Sequence, residues 1–447
     1  MSDLQTLQSW IARVDARETR VAIIGLGYVG LPLALLFSEA GFPVTGLDID
    51  AAKVAALHDG HSYIQRIDAA QIAAARNAGF RASTDFAELR ECDAVLICVP
   101  TPLAPDHTPD MSFVTATVEA IAPHTHPGQL IVLESTTWPG TTTELVIPTL
   151  ERLGPTPVAR NQPSTPYSLL STHCLVAFSP EREDPGNQTI PRRAIPKVIG
   201  GVDPCATAAA AALYGAVFDR TVQMSSTEAA EMTKLLENIY RSVNIALVNE
   251  LKQLCLAMKI DIWEVIEAAS TKPFGFAPFY PGPGIGGHCI PVDPFYLSWR
   301  AQHFQQPARF ITLAGEVNEA MPGFVVQTVQ KALGGLAGKR ILLLGVAYKR
   351  DVDDLRESPA LTLFSLLQSA GADVCYNDPY FPQVGAGRHY AINQESTPLD
   401  RAGDFDGVVL VTDHSAYNIP ALVAAAKLFV DTRNATRGLT AANIVRC

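Results

Sequence analysis

Residues 21–30 read Val-Ala-Ile-Ile-Gly-Leu-Gly-Tyr-Val-Gly, and this stretch decides the fold. Its four apolar residues predict a strand buried on both faces, as in a parallel sheet. The G-x-G-x-x-G pattern after them predicts a tight turn into the helix at 31–40. The next strand, at 44–48, ends in Asp48. Strand, glycine motif, helix and an acid after the second strand together form the dinucleotide-binding pattern of a Rossmann-type, doubly wound α/β sheet.

Each glycine of this motif has its own predicted task. Gly25 makes the tight turn, Gly27 admits a pyrophosphate to the helix N-terminus, and Gly30 lets helix and strand pack closely. Tyr28 and Val29 complete the loop that would surround the cofactor.

Asp48 indicates which dinucleotide binds. It lies eighteen residues after Gly30, where a carboxylate accepts hydrogen bonds from both hydroxyls of a ribose. The same charge repels a 2′-phosphate, so the sequence predicts NAD rather than NADP. The alternative interpretation of Asp48 is a solvated acid at a strand end.

The predicted strands at 94–99, 130–134 and 175–178 each end in a polar or proline-containing segment. Because the carboxyl ends of strands in a doubly wound sheet line the cofactor crevice, these segments are predicted to contact the cofactor. The residues assigned to this crevice are Pro100, Thr101, Ser135 and Thr136. Residues 154–170, rich in Pro, Ser and Thr, are predicted to form a surface excursion without an assigned role.

Length and charge limit the classes of protein that remain. A chain of 447 residues is too long for one core and predicts two or three domains. A net charge of −11 argues against nucleic acid or an anionic membrane as partner. No apolar run has the length of a membrane span, and the N-terminus has no signal-peptide core, so a cytoplasmic location is expected. The eight cysteines show no C-x-x-C pair or ligand cluster, which predicts free thiols and no metal.

A long helix without Gly or Pro is predicted at 226–259, with Ser226 or Thr227 as its N-cap. Such a helix usually bridges two domains or forms a dimer interface. Lys234 and Asn238 are four residues apart and therefore share one face of this helix. Either residue alone is more often an ordinary polar residue of a helix surface.

Cys289 follows a run of glycines at 282–287, and Asp293 comes four residues later. Glycine lets a backbone approach a ligand closely, so a thiol here can meet a substrate. By itself the pattern is also typical of a turn-rich loop with a small, half-buried cysteine. Helical segments are predicted at 300–319 and 324–333, separated at Met321-Pro322-Gly323.

A second α/β unit is predicted after residue 339, where the strand at 339–345 is followed by a charged segment instead of further glycines. Lys349 and Arg356 in that segment are candidate phosphate ligands, the alternative being solvated loop charges. The predicted domains are a NAD-binding domain at 1–212, a central helical domain at 213–322 and a second nucleotide-binding α/β domain at 323–447.

Six motifs in this order resemble those of the UDP-glucose/GDP-mannose dehydrogenase family, over nearly the whole chain. They are G-L-G-Y-V-G at 25–30, E-S-T at 134–136, S-P-E-R at 179–182, the helix with Lys234 and Asn238, G-G-H-C-I-P-V-D at 286–293 and G-V-A-Y-K-R-D-V-D-D-L-R-E-S-P at 345–359. The resemblance implies oxidation of a nucleotide-sugar C6 alcohol to a carboxylate and binding of the UDP-sugar by the domain at 323–447. It also implies a homodimer or higher homo-oligomer formed through the helix at 226–259.

The resemblance also implies roles for individual residues. Cys289 would be the nucleophile, while Lys234, Asn238 and Asp293 would position and polarise the reacting oxygen. Glu181 and Thr136 would handle the hydrolytic water and the protons. Asp48 and Lys53 would hold the adenosine ribose. The residues predicted to contact the substrate are Glu181, Arg182, Lys234, Asn238, Gly284, Gly286, Gly287, Lys349 and Arg356.

The four-electron chemistry explains why a thiol is needed. An aldehyde does not readily give up a second hydride, whereas a thiohemiacetal formed with Cys289 does so and becomes a thioester. Lys234 and Asn238 would stabilise the oxyanion, and Glu181 would act as the general base for hydrolysis. Lys234 and His288 are expected to raise the thiolate fraction of Cys289.

The loop G-P-G-I-G-G-H-C-I-P-V-D-P and the segment S-P-E-R-E-D-P-G resemble the subgroup that acts on UDP-N-acetylhexosamines. Mannosamine-specific members more often resemble G-H-C-I-A-V-D-P-W, whereas this chain has Pro291 and Phe295-Tyr296. The resemblance therefore implies UDP-N-acetylglucosamine rather than UDP-N-acetylmannosamine as substrate, and UDP-N-acetylgalactosamine and UDP-glucose stay open. One rival is a two-electron dehydrogenase of the hydroxyacid type, which leaves Cys289 and Glu181 without a task. Another is a nucleotide-sugar sensor without activity, which has no need of Cys289 and Lys234.

Overall fold

The computed structural model describes residues 3–64, 66–159, 171–183, 189–387 and 390–447. It divides into two compact units, residues 1–237 and 238–447. The predicted excursion lies mostly outside the described residues, at 160–170; of its described part, Val158 pairs with Cys174 in a parallel bridge.

The described part of unit 1 contains a sheet of eight strands in the order β3-β2-β1-β4-β5-β6-β7-β8. All neighbours in it are parallel except β6 and β7. The strands are β1 (Val21–Ile24), β2 (Val44–Leu47), β3 (Arg81–Ser83), β4 (Ala94–Ile97), β5 (Leu130–Leu133), β6 (Leu175–Phe178), β7 (Lys197–Gly201) and β8 (Thr221–Gln223).

Helices cover both faces of this sheet. They are α1 (Asp3–Asp15), α2 (Gly30–Glu39), α3 (Ala51–His58), α4 (Ala69–Asn77), α5 (Ser112–Ile121), α6 (Ile147–Leu153) and α7 (Pro204–Gly215). A single π-helical turn, Thr142–Val146, leads into α6.

The central strands are buried on both faces because their side chains alternate between two cores. Val21 and Ile23 of β1 belong to one hydrophobic cluster, and Ala22 and Ile24 belong to the other. A strand packed on both sides is necessarily apolar throughout, which is why residues 21–24 have no polar position. The predicted doubly wound α/β architecture is confirmed.

The predicted long helix is α8 (Thr227–Met258), and Ser226 Oγ accepts a hydrogen bond from Ala229 N, 3.2 Å away, at its start. At 1.5 Å per residue its 32 residues extend over about 48 Å. The following helices are α9 (Ile262–Ser270), α10 (Asp293–His303) and α11 (Arg309–Leu333).

The predicted break at Met321-Pro322-Gly323 is wrong, because α11 runs through Pro322 without interruption. A proline inside a helix costs about 3 kcal/mol. The buried face of α11 outweighs this cost: Ala314, Asn318, Met321 and Val325 are all buried on it. The segment predicted as one helix at 300–319 is instead divided between α10 and α11.

Unit 2 contains a second parallel sheet, in the order β10-β9-β13-β14-β15 among its described strands, and a separate antiparallel hairpin, β11-β12. Its elements are β9 (Arg340–Leu344), α12 (Pro359–Ser369), β10 (Asp373–Asn377), β11 (Gln383–Gly387), β12 (Tyr390–Glu395), β13 (Gly407–Leu410), α13 (Ile419–Ala425), β14 (Phe429–Asp431) and β15 (Ile444–Arg446). In neither unit is any helix of the described ranges both long and apolar enough to span a bilayer.

Candidate active site

The glycine motif after β1 has the geometry that close backbone approach requires. Gly25 has a φ of 89°, in the left-handed region that favours glycine. A Cβ on Gly30 would lie 1.9 Å from the carbonyl oxygen of Gly25, so any side chain there collides with the turn. A Cβ on Gly27 would meet no atom within 4 Å. Gly27 therefore faces open space at the start of α2, where a pyrophosphate would lie.

Asp48 follows β2 and closes the same turn. Its carboxylate accepts hydrogen bonds from the backbone N–H of Leu26 at 2.9 Å and of Asp50 at 2.9 Å. Lys53 Nζ lies 3.3 Å from Asp48 Oδ2. The carboxylate is thus held rigidly at the carboxyl end of β2, next to the glycine loop.

The segments after β4 and β5 lie at the same sheet edge, because these strands are parallel neighbours. Thr101 is buried and Pro100 is exposed. Ser135 Oγ donates a hydrogen bond to the carbonyl of Val99, 2.7 Å away, and links the two segments; Thr136 is half-buried. The structure therefore brings these predicted cofactor residues together with the glycine loop and Asp48.

Glu181 follows β6 at this edge. Its Oε1 accepts two backbone hydrogen bonds of 2.7 Å, from Arg182 N and Glu183 N. Burial alone would raise the pKa of Glu181, but the cations of Lys197 and Arg192 lower it, so the net pKa lies below its usual value. The charge of Lys234 on α8 also lowers it, by less than the charges of Lys197 and Arg192.

Arg182 is held within unit 1. Its guanidinium lies 2.5 Å from Glu237 Oε1 of α8 and donates to the carbonyl of Pro196 at 2.7 Å. These contacts anchor α8 next to the end of β6. A contact between Arg182 and the substrate stays a prediction.

In unit 2, Cys289, Asp293 and Asn238 form one cluster. Asp293 N donates to the carbonyl of Cys289 at 2.9 Å, so one helical turn separates the thiol from the first residue of α10. The Asn238 side chain of α8 donates to Asp293 Oδ2 and accepts from the guanidinium of Arg241. Cys289 is half-buried, whereas Asp293 and Asn238 are buried.

The glycines before Cys289 let another segment of the chain pack closely against this loop, so their absence of side chains is not explained by a ligand alone. Gly284 and Gly287 have φ values of 131° and 84°. A Cβ on Gly286 would lie 2.8 Å from the carbonyl of Glu357, and one on Gly287 would lie 2.8 Å from the Tyr348 ring. The loop is therefore packed against the charged segment that follows β9.

The expectation that His288 raises the thiolate fraction of Cys289 is wrong. Burial and, to a smaller extent, the charge of Arg356 lower the pKa of His288 to about 4. His288 is therefore neutral at pH 7 and offers no positive charge to the neighbouring thiol. The described residues contain no group of three or more His, Cys, Asp or Glu that could hold a metal ion.

Arg356, a predicted phosphate ligand, forms an ion pair with Asp354, with 2.7 Å between Nη2 and Oδ2. Its charge is therefore already balanced within the segment. Lys349 lies in the same segment and is half-buried. Their role in binding phosphate stays a prediction.

Three models of the UDP-glucose/GDP-mannose dehydrogenase family match the chain in order. The NAD binding domain matches residues 19–218, the central domain matches 228–320 and the UDP binding domain matches 342–438. The UDP-N-acetyl-D-glucosamine 6-dehydrogenase of Pseudomonas aeruginosa is 32% identical over 90% of this chain and 92% of that protein. The UDP-N-acetyl-D-mannosamine dehydrogenase of Escherichia coli K12 is 37% identical over 89% and 94%.

The chain belongs to the UDP-glucose/GDP-mannose dehydrogenase family. Among solved structures, the UDP-D-ManNAc dehydrogenase of Pyrococcus horikoshii has a TM-score of 0.83 at 29% identity, covering 96% of this chain and 99% of that one. The resemblance found in the sequence is confirmed, and the chain is a NAD-dependent nucleotide-sugar dehydrogenase. Its crevice after β1 lies in the NAD binding domain, and most of the sheet of unit 2, without β15, lies in the UDP binding domain.

Sequence reasoning missed three buried groups of this dehydrogenase. Lys197 and Tyr214 contact Glu134, and Glu231 of α8 accepts hydrogen bonds from Gly140 N at 2.6 Å and Thr142 N at 2.9 Å. Burial raises the pKa of Glu231 to about 7. A lysine at the start of the buried strand Lys-Val-Ile-Gly-Gly was the available signal, since lysine is rarely buried without a partner.

Proposed function

We propose that this dehydrogenase oxidises the C6 hydroxyl of a UDP-N-acetylhexosamine, with UDP-N-acetyl-D-glucosamine as the best candidate, to the uronate. The reaction removes four electrons through a thiohemiacetal and a thioester on Cys289. The observation that carries the proposal is the position of Cys289 one helical turn before Asp293, whose carboxylate accepts from Asn238, because a two-electron dehydrogenase has no task for a thiol there.

The residues of unit 1 fit NAD. The open space at Gly27 leaves room for a pyrophosphate at the start of α2, and the buried Asp48 carboxylate suits a ribose diol rather than a 2′-phosphate. Gly25, Tyr28, Val29, Lys53, Pro100, Thr101, Ser135 and Thr136 would complete this site. Bound NAD supplies a hydride acceptor for each of the two oxidations.

The protein residues supply the proton transfers and the covalent bond. In the first oxidation, a water held by Asp293 and Lys234 takes the proton of the C6 hydroxyl. In the second, the Cys289 thiolate adds to the aldehyde, and Lys234 and Asn238 stabilise the oxyanion that forms. Water then hydrolyses the thioester, Glu181 takes a proton from that water, and Cys289 leaves as the thiolate.

The relatives support the class of sugar, a UDP-N-acetylhexosamine, and only the loop sequence supports the choice of epimer. Both relatives named above carry UDP-N-acetylhexosamines in their names, one the gluco and one the manno epimer. Pro291 and Phe295-Tyr296 favour the gluco epimer. Comparing kcat/KM for UDP-N-acetylglucosamine, the galacto and manno epimers and UDP-glucose tests this choice, and a higher value for any of the other three would overturn it.

The decisive experiment for the reaction is the yield of NADH per limiting UDP-N-acetylglucosamine. We expect two NADH per sugar from the wild-type enzyme and no turnover to the uronate by Cys289→Ala. Cys255→Ala is the matched control, because Cys255 is a half-buried free thiol without a proposed role. One NADH per sugar with and without Cys289 would replace the proposal by a two-electron dehydrogenase.

We further propose that α8 pairs with α8 of a second copy. Exposed apolar side chains recur along it at the spacing of a helical stripe: Tyr240, Leu247, Leu251, Leu254 and Met258. Spacings of seven, four, three and four residues match the seam of paired helices. A second copy presents the same stripe, so the surface is self-complementary about a two-fold axis.

Light scattering after size-exclusion chromatography tests this partner. The double change Leu247→Glu/Leu254→Glu places charges in the stripe and is expected to yield monomers. Glu264→Ala on α9, also exposed, is expected to leave the mass unchanged. An unchanged dimer in the double variant, or a monomeric wild-type protein, would remove α8 as the interface.

A further inference from the structure

Unit 1 contains a buried polar network behind Glu181 that the proposed mechanism does not use. Glu134 follows β5, Lys197 begins β7 and Tyr214 lies on α7. The Lys197 and Glu134 side chains are 2% and 0% exposed. Lys197 Nζ donates to Glu134 Oε2 at 2.5 Å, and the Tyr214 hydroxyl donates to Glu134 Oε1. Both oxygens of Glu134 are therefore engaged.

The ammonium of Lys197 also faces the segment that carries Glu181. Nζ donates to the carbonyl of Pro180 at 3.1 Å and lies 3.9 Å from Glu181 Oε2. Glu134 thus holds Lys197 from one side, and Lys197 holds the backbone and the carboxylate after β6 from the other. The Lys197 ammonium additionally lies 5.1 Å from the centre of the Tyr214 ring, which limits its freedom.

The two oxygens of Glu181 differ in a way that suits a base. Oε1 is fixed by the two backbone N–H groups of Arg182 and Glu183. Oε2 is buried and accepts no hydrogen bond from any residue in the described ranges. Buried polar atoms nearly always have a partner, so an exception indicates a missing water or ligand. Oε2 is the oxygen nearer to Lys197.

The charges around Glu181 favour its ionised form. Lys197 on β7, Arg192 before β7 and Lys234 on α8 face it as cations and lower its pKa, opposing burial. The other titratable groups in this network are Glu134, Cys98 and Tyr214, and burial raises the pKa of all three. Lys197 is the cation with the largest effect on Glu181.

We propose that Lys197, anchored by Glu134 and Tyr214, is a positioning residue for thioester hydrolysis: it keeps Glu181 ionised, with Oε2 directed to the attacking water. The inference rests on the proposed thioester route. In this step water forms a C–O bond with the thioester carbon, its proton passes to Glu181 Oε2, the C–S bond breaks and the thiolate of Cys289 leaves. No electrons are transferred, so no further reactant is needed.

The test separates oxidation from hydrolysis in the intact enzyme. Lys197→Met removes the charge but keeps the length of the side chain. We expect rapid formation of two NADH per site, followed by steady-state turnover lowered on the order of 10²-fold, the typical contribution of a general base. Mass spectrometry after acid quench should detect a sugar adduct on Cys289. The acidic limb of the kcat–pH profile should move to higher pH.

Two further variants keep the outcome interpretable. Lys197→Met leaves Glu134 buried without its cation, so Glu134→Gln/Lys197→Met serves as the variant in which both charges are absent, with the same adduct expected. Lys197→Arg retains the charge and is expected to restore most of the turnover. A thermal-unfolding midpoint near that of the wild type for the double variant excludes simple misfolding as the cause.

Glu181→Gln separates failure of the inference from failure of the proposed function. Accumulation of the adduct in Glu181→Gln but not in either Lys197→Met variant would overturn the role of Lys197 and leave the thioester route intact. One NADH per sugar in the wild type and no adduct in any variant would overturn the proposed function itself. Equal slowing of the NADH burst and of steady-state turnover in both Lys197→Met variants would reduce Lys197 to a structural ion pair.

Discussion

Gly25 of the first sheet and Gly345 of the second occupy the same turn, yet the crevices that begin there differ. Each follows the first strand of its sheet and has a positive φ, 89° and 81°. In each, an aspartate after the neighbouring strand accepts backbone hydrogen bonds from the turn: Asp48 from Leu26 N at 2.9 Å, and Asp378 from Val346 N at 2.7 Å. The backbone plan of the two sheet edges is the same.

The difference lies in what fills the space beyond the turn. Gly27 of the first crevice meets no atom within 4 Å of a would-be Cβ. In the second crevice, buried His414 lies 3.1 Å from Asp378 Oδ2, and Tyr380 N donates to Asp378 Oδ1 at 2.8 Å. The second aspartate is therefore engaged by His414 and by backbone groups, and the comparison teaches that the same backbone turn can carry different side-chain surroundings.

The largest expected effect tests what the two turns share. A Cβ on Gly25 would lie 2.8 Å from Cys98 O, and one on Gly345 would lie 2.3 Å from Thr412 O. Gly25→Ala and Gly345→Ala are each expected to lower the free energy of unfolding by about 3 kcal/mol, measured by urea denaturation. Gly323→Ala is the control: it lies inside α11 with nothing near its Cβ, so it should be neutral or slightly stabilising. Full stability of Gly345→Ala would mean that the second turn is not constrained like the first.

A second prediction concerns the pH dependence of the free energy of unfolding, to which a carboxyl group in each unit contributes differently. Burial raises the pKa of Glu231 in unit 1 to about 7, above its ordinary 4.5. The folded state therefore retains a proton that the unfolded state releases, and the free energy of unfolding falls as pH rises between these values, by roughly 3 kcal/mol at most. Glu231→Gln should flatten this slope in urea denaturation at a series of pH values.

The pKa of Asp378 in unit 2 is shifted in the opposite direction to that of Glu231, and so is its effect on stability as pH changes. Burial would raise its pKa, but the hydrogen bond and charge of His414 lower it below the ordinary 3.8. The ionised Asp378 carboxylate therefore stabilises the folded state above pH 3.8, and this stabilisation is lost as pH falls through the lower folded-state pKa. Asp378→Asn should reduce the acid sensitivity without changing the slope near neutral pH. Identical slopes for Glu231→Gln and Asp378→Asn would contradict the contrast.

A third prediction separates the two aspartates by function. Asp48→Asn is expected to raise the KM for NAD about 10- to 100-fold, since hydrogen bonds to a charged group contribute about 1.5–3 kcal/mol, and to narrow the preference for NAD over NADP. Asp378→Asn should leave the KM for NAD and the preference for NAD over NADP unchanged, and should lower the free energy of unfolding instead. Asp50→Asn preserves the N-cap of α3 and serves as the control for Asp48. An unchanged KM in Asp48→Asn would remove Asp48 from the cofactor site.

The smallest expected effect concerns Lys53, which lies 3.3 Å from Asp48 and is 35% exposed. Partly exposed ion pairs contribute about 0.5–1 kcal/mol. Lys53→Met should therefore raise the KM for NAD no more than about fivefold, with a stronger effect at low salt. Steady-state kinetics at two ionic strengths measures this, and a change as large as that of Asp48→Asn would mean that Lys53 contributes more to the NAD site than a partly exposed charge does.

The local sequence pattern was sufficient to predict the elements whose hydrophobic periodicity and glycine positions allow few other structures. Residues 21–30 and Asp48 predict the first sheet because a parallel strand and a G-x-G-x-x-G turn have few alternatives. The unbroken 226–259 segment likewise predicts α8, since neither Gly nor Pro interrupts it. Cys289 and Asp293 are only four residues apart, so their proximity also follows from the sequence.

What the sequence determined by itself was the course of the backbone at these turns and the order of the motifs. Tertiary packing alone decided the rest. The buried face of α11 overrides Pro322, His414 fills the second crevice, desolvation makes His288 neutral, and Lys197 is brought to Glu134 and Glu181 from a different strand. These features depend on which side chains, distant in the sequence, pack together and exclude water. The local periodicity of the sequence carries no information about such contacts.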